Sequence, residues 1–228
     1  MSIETKRSVS TASRVLGFES HGDLIWGHVS VRDSGGRGAW MKRSGIGFEE
    51  VGPDDVLLVD RAGEVIDGSG RRHIEYPIHT EIMAARADVN SVVHTHAMHA
   101  VAFASLETPL LPVSHEGTLF TPPDVARFTE TGDLIVSSEL GNKVAQVLGD
   151  RNALLLVNHG IITVGPNLET AVVTAILLER ACRIQLQAMA AGPIRKWSDD
   201  AEALAKREHC YPPALLNQAW DYLVRQLP

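Results

Sequence analysis

The sequence predicts an α/β protein. Runs of strand length alternate with segments of helical periodicity, and the composition is that of an ordinary globular chain, 44% hydrophobic and 21% charged over 228 residues. That length fits one domain with a sizeable core, so residues 1–228 are read as a single domain. A third observation concerns chemistry: there are ten histidines against three tyrosines and five phenylalanines. The formal net charge of −7 argues against a general nucleic-acid binder, which needs a basic face to neutralise phosphates. The longest apolar runs, such as Ala153 to Val157, are too short to cross a bilayer, and Met1 to Ser10 holds no apolar signal region. Cys182 and Cys210 lack metal or redox spacing, so a cytoplasmic location is expected.

The elements are expected in this order. Ser10 to Phe18 ends an N-terminal helix, and Trp26 to Val31 forms a strand. Arg32 to Gly38 is a Gly-rich turn into a return strand at Ala39 to Met41. Asp55 to Val59 is an apolar strand, Arg61 to Glu64 a turn, and Val65-Ile66 opens the next strand. Tyr76 to Ala85 reads as a helix, with Pro77 in the first turn, where its missing N–H costs nothing, and Ile78, Ile82 and Ala85 on one face. Ser91 to Thr95 is a strand. Ser137-Ser138-Glu139 starts a helix that Gly149 stops. Ala153 to Val157 and Ile161 to Val164 are strands joined at Asn158-His159-Gly160, and Leu168 to Ala190 is a long helix. The tail after Gly192-Pro193 is expected to form a short extra helix or an arm on a neighbouring subunit.

His94-Thr95-His96 is the first chemical signal. On a strand, residues two apart point to the same side, so the pair offers two imidazoles to one point, as a divalent cation requires. The plainer reading is two histidines hydrogen-bonded at a strand end. His159 alone reads as a turn residue. If its strand shares a sheet with Ser91 to Thr95, three imidazoles meet and leave an open position for Lewis-acid chemistry. Spacing alone reads Glu75 as a solvated glutamate at a helix N-terminus, where the macrodipole favours it. By the same kind of reading, His21 and His79 are structural or solvent-facing, and His99 lies just outside the metal site.

Taken together, several ordered blocks make the chain resemble the class II aldolase/adducin family across residues 10–190. They are Trp26 to Arg32, Ser44-Gly45, Glu75, His79 to Ile82, Asp88 to His96, Asn158-His159-Gly160 and Gly165 to Ala171. The resemblance implies a three-layer fold with a central, mainly antiparallel sheet flanked by helices, in place of the parallel sheet that alternation alone suggests. It implies a divalent metal on His94, His96 and His159, with Mn²⁺ or Zn²⁺ expected and Fe²⁺ or Co²⁺ compatible. It makes Glu75 the acidic residue that ligates the empty metal and handles protons once substrate binds. A homo-oligomer, a tetramer by family habit, would place active sites at subunit interfaces.

Departures from the sugar-phosphate aldolases are informative. Gly27-His28 stands where those have Gly-Asn, Lys42-Arg43-Ser44-Gly45 where they have Thr-Pro-Ser/Thr-Gly, and His73-Ile74 where they have paired serines. Small phosphate-cradling groups give way to His28, Arg43, Arg72 and His73. An arginine fork suits a carboxylate, although Arg71-Arg72 also reads as a solvated turn. With Leu111 to Gly117, the pattern resembles the family's decarboxylase branch, which acts on hydroxy-methylpyridine dicarboxylates, dihydroxyphthalate-type acids and carboxylated muconic semialdehydes. The expected substrate is therefore a small carboxylate. His28, Arg43, Ser44, Gly45, Arg72, His73 and Glu116 are the candidate binding residues. Glu75 is the first candidate proton donor and His115 the second, though His115 and Glu116 also read as a polar loop. An aldolase, epimerase or dehydratase is the alternative. A non-catalytic adducin-like module and an iron-dependent oxygenase are more distant readings.

Overall fold

A computed structural model describes residues 2–228. One eight-stranded sheet runs through the molecule in the order β4-β3-β2-β1-β5-β8-β7-β6. The strands are β1 (His28–Arg32), β2 (Ala39–Lys42), β3 (Val56–Val59), β4 (Val65–Asp67), β5 (Ser91–Thr95), β6 (Ala126–Phe128), β7 (Ala153–Leu156) and β8 (Gly160–Gly165). Every neighbouring pair is antiparallel except β6 with β7. The sheet is thus mainly antiparallel, as the family resemblance implies.

The helices cover both faces. One core layer joins α1 (Ser2–Leu16), α3 (Met98–Ala104), α6 (Leu168–Ala191) and α8 (Pro213–Arg225) to Val93, Leu155 and Ile161 of the sheet. The opposite layer joins α2 (Tyr76–Ala85) and α5 (Ser138–Leu148) to Val92, Leu154, Leu156, Ile162 and Val164. Successive strand residues therefore enter opposite layers, and burial on both faces explains the unbroken apolar runs Val56–Val59 and Ala153–Leu156. Such runs carry no alternation that would separate antiparallel from parallel pairing.

Most expected elements stand where the sequence places them. The helix at Tyr76–Ala85 has the expected bounds and Pro77 in its first turn. Ser137 caps α5 by accepting from the Leu140 N–H, and Gly149 ends it. The N-terminal helix ends at Leu16, inside the expected Ser10 to Phe18, while α3, α4 (His115–Thr118) and β6 went unread. The tail is two helices, α7 (Asp200–Cys210) and α8. Leu216 and Leu223 of α8 are buried in the chain's own core layer with α1 and α6, so this part of the tail is not a free arm. Among the described residues, no helix is long and apolar enough to cross a membrane.

Candidate metal centre

Sheet order builds the site. β5 lies between β1 and β8, antiparallel to both, so the end of β5 meets the starts of its two neighbours. His28 opens β1 and pairs with His94 in register; His96 follows β5, and His159 immediately precedes β8. The Asn-His-Gly turn has a steric reason. Asn158 adopts φ +60°, a left-handed conformation that asparagine tolerates better than most residues. A Cβ on Gly160 would stand 2.6 Å from the Thr95 carbonyl oxygen and 2.9 Å from His96 Cδ2. Only glycine lets β8 start this close to the two other imidazoles.

Glu75 is not solvated. It occupies the N-cap position of α2 but makes no capping bond, and its buried carboxylate turns toward the histidines. Its Oε1 accepts from the Ile135 N–H at 2.8 Å and lies 3.5 Å from His159 Nε2, while Oε2 lies 3.6 Å from His94 Nε2. Ligand atoms of Glu75, His94, His96 and His159 all fall within 4.8 Å of one another.

The donor chemistry fits a divalent cation. The Ile161 carbonyl accepts from His94 Nδ1 at 2.9 Å, which leaves a lone pair on Nε2. Burial pushes the His94 pKa down against the pull of Glu75, so the ring is neutral and that lone pair faces a carboxylate oxygen. Asp23 Oδ2 lies 2.8 Å from His96 Nδ1 and orients that ring in the same manner. The Nε2 atoms of His94, His96 and His159 are all buried without a hydrogen-bond partner. The His94 and His96 lone pairs meet a carboxylate in a buried space, a repulsion that a cation between them relieves, and three imidazoles with one carboxylate form a donor set that zinc, manganese or iron accepts.

Around this centre the other candidates separate. His28 and His73 join it: both are buried, their rings pack with centroids 4.5 Å apart, and His28 lies 5.0 Å from His94. Burial lowers His73 to about 3. Arg43 gives Nε to Asp55 at 2.7 Å. Arg72 donates to the Gly63 and His73 carbonyls and stacks over Tyr76, so it braces the loop that delivers Glu75. The Ser44 N–H donates to the Arg71 carbonyl, and Gly45 is exposed at φ +85°. His115 and Glu116 open α4, where His115 Nδ1 lies 3.4 Å from Cys210 Sγ. Among the described residues no hydrogen bond, ion pair or ring contact links either to the metal centre. His99 binds Glu179 instead.

Of the two readings open for His79 and His21, structural or solvent-facing, burial favours the structural one: His79 is fully buried and contacts His28, and His21 is buried against Thr95. Lys42 is fully buried, donates to the Ile25 and Ile46 carbonyls, and is pushed by burial to about 8. Its charge lowers His28 and His73 further. A lysine closing a short strand and followed by Arg43 carries no signal of this. The Asp23, Ile135 and Ile161 contacts join residues 60 to 73 positions apart, which no local pattern reveals.

A three-layer, mainly antiparallel α/β chain with a buried imidazole and carboxylate centre is the class this geometry defines. The chain belongs to the family described as class II aldolase and adducin N-terminal domain, whose model matches residues 7–186. It is 33% identical over 180 residues to the 4-hydroxy-3-prenylphenylpyruvate oxygenase/4-hydroxy-3-prenylbenzoate synthase of Streptomyces roseochromogenus subsp. oscitans, covering 78% of this chain and 64% of that protein. It is 28% identical over 212 residues to the 3,4-dihydroxyphthalate decarboxylase of Arthrobacter keyseri, covering 86% of this chain and 84% of that one. The L-fuculose 1-phosphate aldolase from Glaciozyma antarctica PI12 superposes with a TM-score of 0.86 at 29% identity, over 99% of this chain and 88% of the other. The family thus includes proteins named as decarboxylases and aldolases.

Proposed function

We propose that this protein is a metal-dependent carbon–carbon lyase that decarboxylates a small hydroxylated aromatic or related carboxylic acid. What flanks the centre carries this reading. His28 and His73 pack ring on ring beside Glu75, and Ile74 turns its side chain outward, 56% exposed, where the aldolase pattern has a serine. The site offers buried imidazole where a phosphate cradle would need small hydroxyl groups. The likeness to a dihydroxyphthalate decarboxylase supports the same choice.

His94, His96 and His159 would hold the ion, with Glu75 completing the set only when no substrate is bound. When bound, a divalent cation neutralises negative charge developing on oxygen beside the breaking bond. The chain's own groups do the rest. Arg43, whose guanidinium donates to Asp55 through Nε alone, receives a second carboxylate at the rim. Glu75 takes the proton of the substrate hydroxyl. The bond to the departing carboxylate breaks, its electron pair stays on the ring carbon, and Glu75 returns the proton to that carbon. Solvent then restores the hydroxyl proton. The Ile135 N–H holds the carboxylate in place during both transfers.

Exposed apolar side chains at Leu24, Trp26, Ile74, Met98 and Leu134 lie on segments flanking the centre. They support a homo-oligomer with sites at subunit boundaries, for which we propose a tetramer; light scattering tests the mass.

The test of function is carbon dioxide release by Mn²⁺-loaded protein from a panel of ortho-hydroxy aromatic and pyridine dicarboxylates, each paired with His94→Ala. Release that disappears in the variant is the expected result. The fuculose-phosphate aldolase superposition favours a second reading, cleavage of a small sugar phosphate. Release of dihydroxyacetone phosphate with no carbon dioxide would establish it. Oxygen consumption with Fe²⁺ would instead mark an oxygenase.

A further inference from the structure

A second row of buried groups extends from Glu75 into the interior. His28 Nε2 lies 4.0 Å from Glu75 Oε2. On its other side, His28 Nδ1 lies 2.6 Å from His79 Nε2, and His79 Nδ1 lies 2.6 Å from Ser30 Oγ. All three side chains are buried, and the row crosses from β1 to α2 and back to β1.

The two 2.6 Å contacts each need one proton between their atoms, and with one N–H on each ring the protons can be placed along the row in only two consistent ways. In the first, the Ser30 hydroxyl donates to His79 Nδ1, His79 Nε2–H donates to His28 Nδ1, and His28 Nε2–H points toward Glu75. In the second every bond is reversed. Then the Ser30 hydrogen has no acceptor among the described residues, and a bare His28 lone pair faces a carboxylate oxygen. The second arrangement leaves a buried donor without an acceptor and sets a lone pair against a carboxylate; in the first both 2.6 Å contacts are satisfied and the one open N–H, on His28 Nε2, stands 4.0 Å from a carboxylate oxygen, an attractive placement.

We propose that Ser30 and His79 are positioning residues that hold His28 as its Nε2–H tautomer, so that a fixed N–H donor stands beside Glu75 for a negatively charged oxygen of the substrate. The use of that donor rests on the decarboxylase reading; the tautomer does not. An N–H already aimed at the place where charge collects needs no reorientation during reaction. It also accounts for a histidine pair, His28 and His79, kept in the interior where a simple hydrophobic pair would pack without cost.

Long-range ¹H–¹⁵N correlation spectra of the Zn²⁺-loaded protein test this without substrate. His28 and His79 should each show a protonated Nε2 and an unprotonated Nδ1. Ser30→Ala should convert His28 partly or wholly to the other tautomer and lower turnover roughly tenfold, with zinc content unchanged. His79→Gln, whose amide N–H can still donate to His28 Nδ1, should preserve the His28 tautomer, and His79→Leu should lose it. A protonated Nδ1 on His28 in the wild-type protein overturns the proposal even if Ser30→Ala does not fold. So does a Ser30→Ala spectrum identical to wild type. The expected tautomer without carbon dioxide release counts against the decarboxylase reading alone, and the opposite tautomer with normal release counts against the positioning alone.

Discussion

Single side chains decide what the centre can do, through where each lone pair points. The His94 ring is oriented by a backbone carbonyl and the His96 ring by Asp23, and both Nε2 atoms are left bare and buried. Removing one should empty the site: His94→Ala protein purified without added metal should carry far less bound ion than wild type by elemental analysis. Equal metal content would mean that these imidazoles are not ligands. Glu75→Gln keeps the shape and removes the proton acceptor, so kcat at saturating metal should fall about 100-fold or more. Unchanged turnover would take Glu75 out of proton transfer. His-x-His on a strand and Asn-His-Gly after another were legible because their geometry is local. Glu75 read alone as a surface residue, since its Ile135 partner lies 60 positions away. Arg43 and Arg72 show the converse: charge in the sequence announces a candidate, and only packing shows that Asp55 and Tyr76 already engage them.

Elements set how firmly those side chains are held, and α3 is the informative case. It starts two residues after His96, and its N-cap Ala97 has no capping side chain. Glu179 of α6 supplies the cap from outside. Its Oε1 accepts from the His99 N–H at 3.0 Å and its Oε2 from the Ala100 N–H at 2.8 Å. A carboxylate on two helix-end donors that lack intrahelical partners is a favourable interaction with the dipole as well as a hydrogen-bonded cap. Glu179→Ala should therefore destabilise the protein by about 2 kcal/mol in denaturant titration. It should also weaken metal binding, because the turn carrying His96 loses its anchor. A loss confined to stability, with metal affinity intact, would show that α3 does not hold His96. This cap also explains why α3 was missed, while α2 and α5 were read with their ends: Pro77, Ser137 and Gly149 are local signals, and Glu179 is 80 residues from the helix it caps. β6 has three residues and follows Pro122-Pro123, too little pattern to mark a strand.

For the molecule as a whole, the central decision is to bury both faces of one sheet and collect histidines at the shared end of its central strands. Alternation of strand and helix segments announced the α/β class. Strand direction came from the family resemblance, because doubly buried strands such as Ala153–Leu156 lack the polar face that distinguishes the two pairings. Enclosing imidazoles this way has a consequence for stability in acid. Burial holds His21 down at about 4 and His79 at about 3, both below the 6.5 of an exposed imidazole. Between about pH 6.5 and those values the unfolded chain binds protons at these sites and the folded chain does not. Stability therefore rises with pH through this window, is lost progressively as pH falls toward 4, and is flat in these two groups above 6.5. Each such histidine contributes a slope of at most about 1.4 kcal/mol per pH unit. His21 isolates the effect, since its side chain shares a hydrogen bond with Thr95 Oγ1 through Nδ1 and asparagine can replace it there. In EDTA, where metal release adds no proton dependence of its own, denaturant titrations from pH 7.5 to 4.5 should show wild type losing stability faster than His21→Asn, with the two curves parallel above pH 7. Parallel curves over the whole range would mean that His21 takes up its proton in the folded state as readily as in the unfolded one, and that the polar interior near Thr95 is wetter than its burial implies.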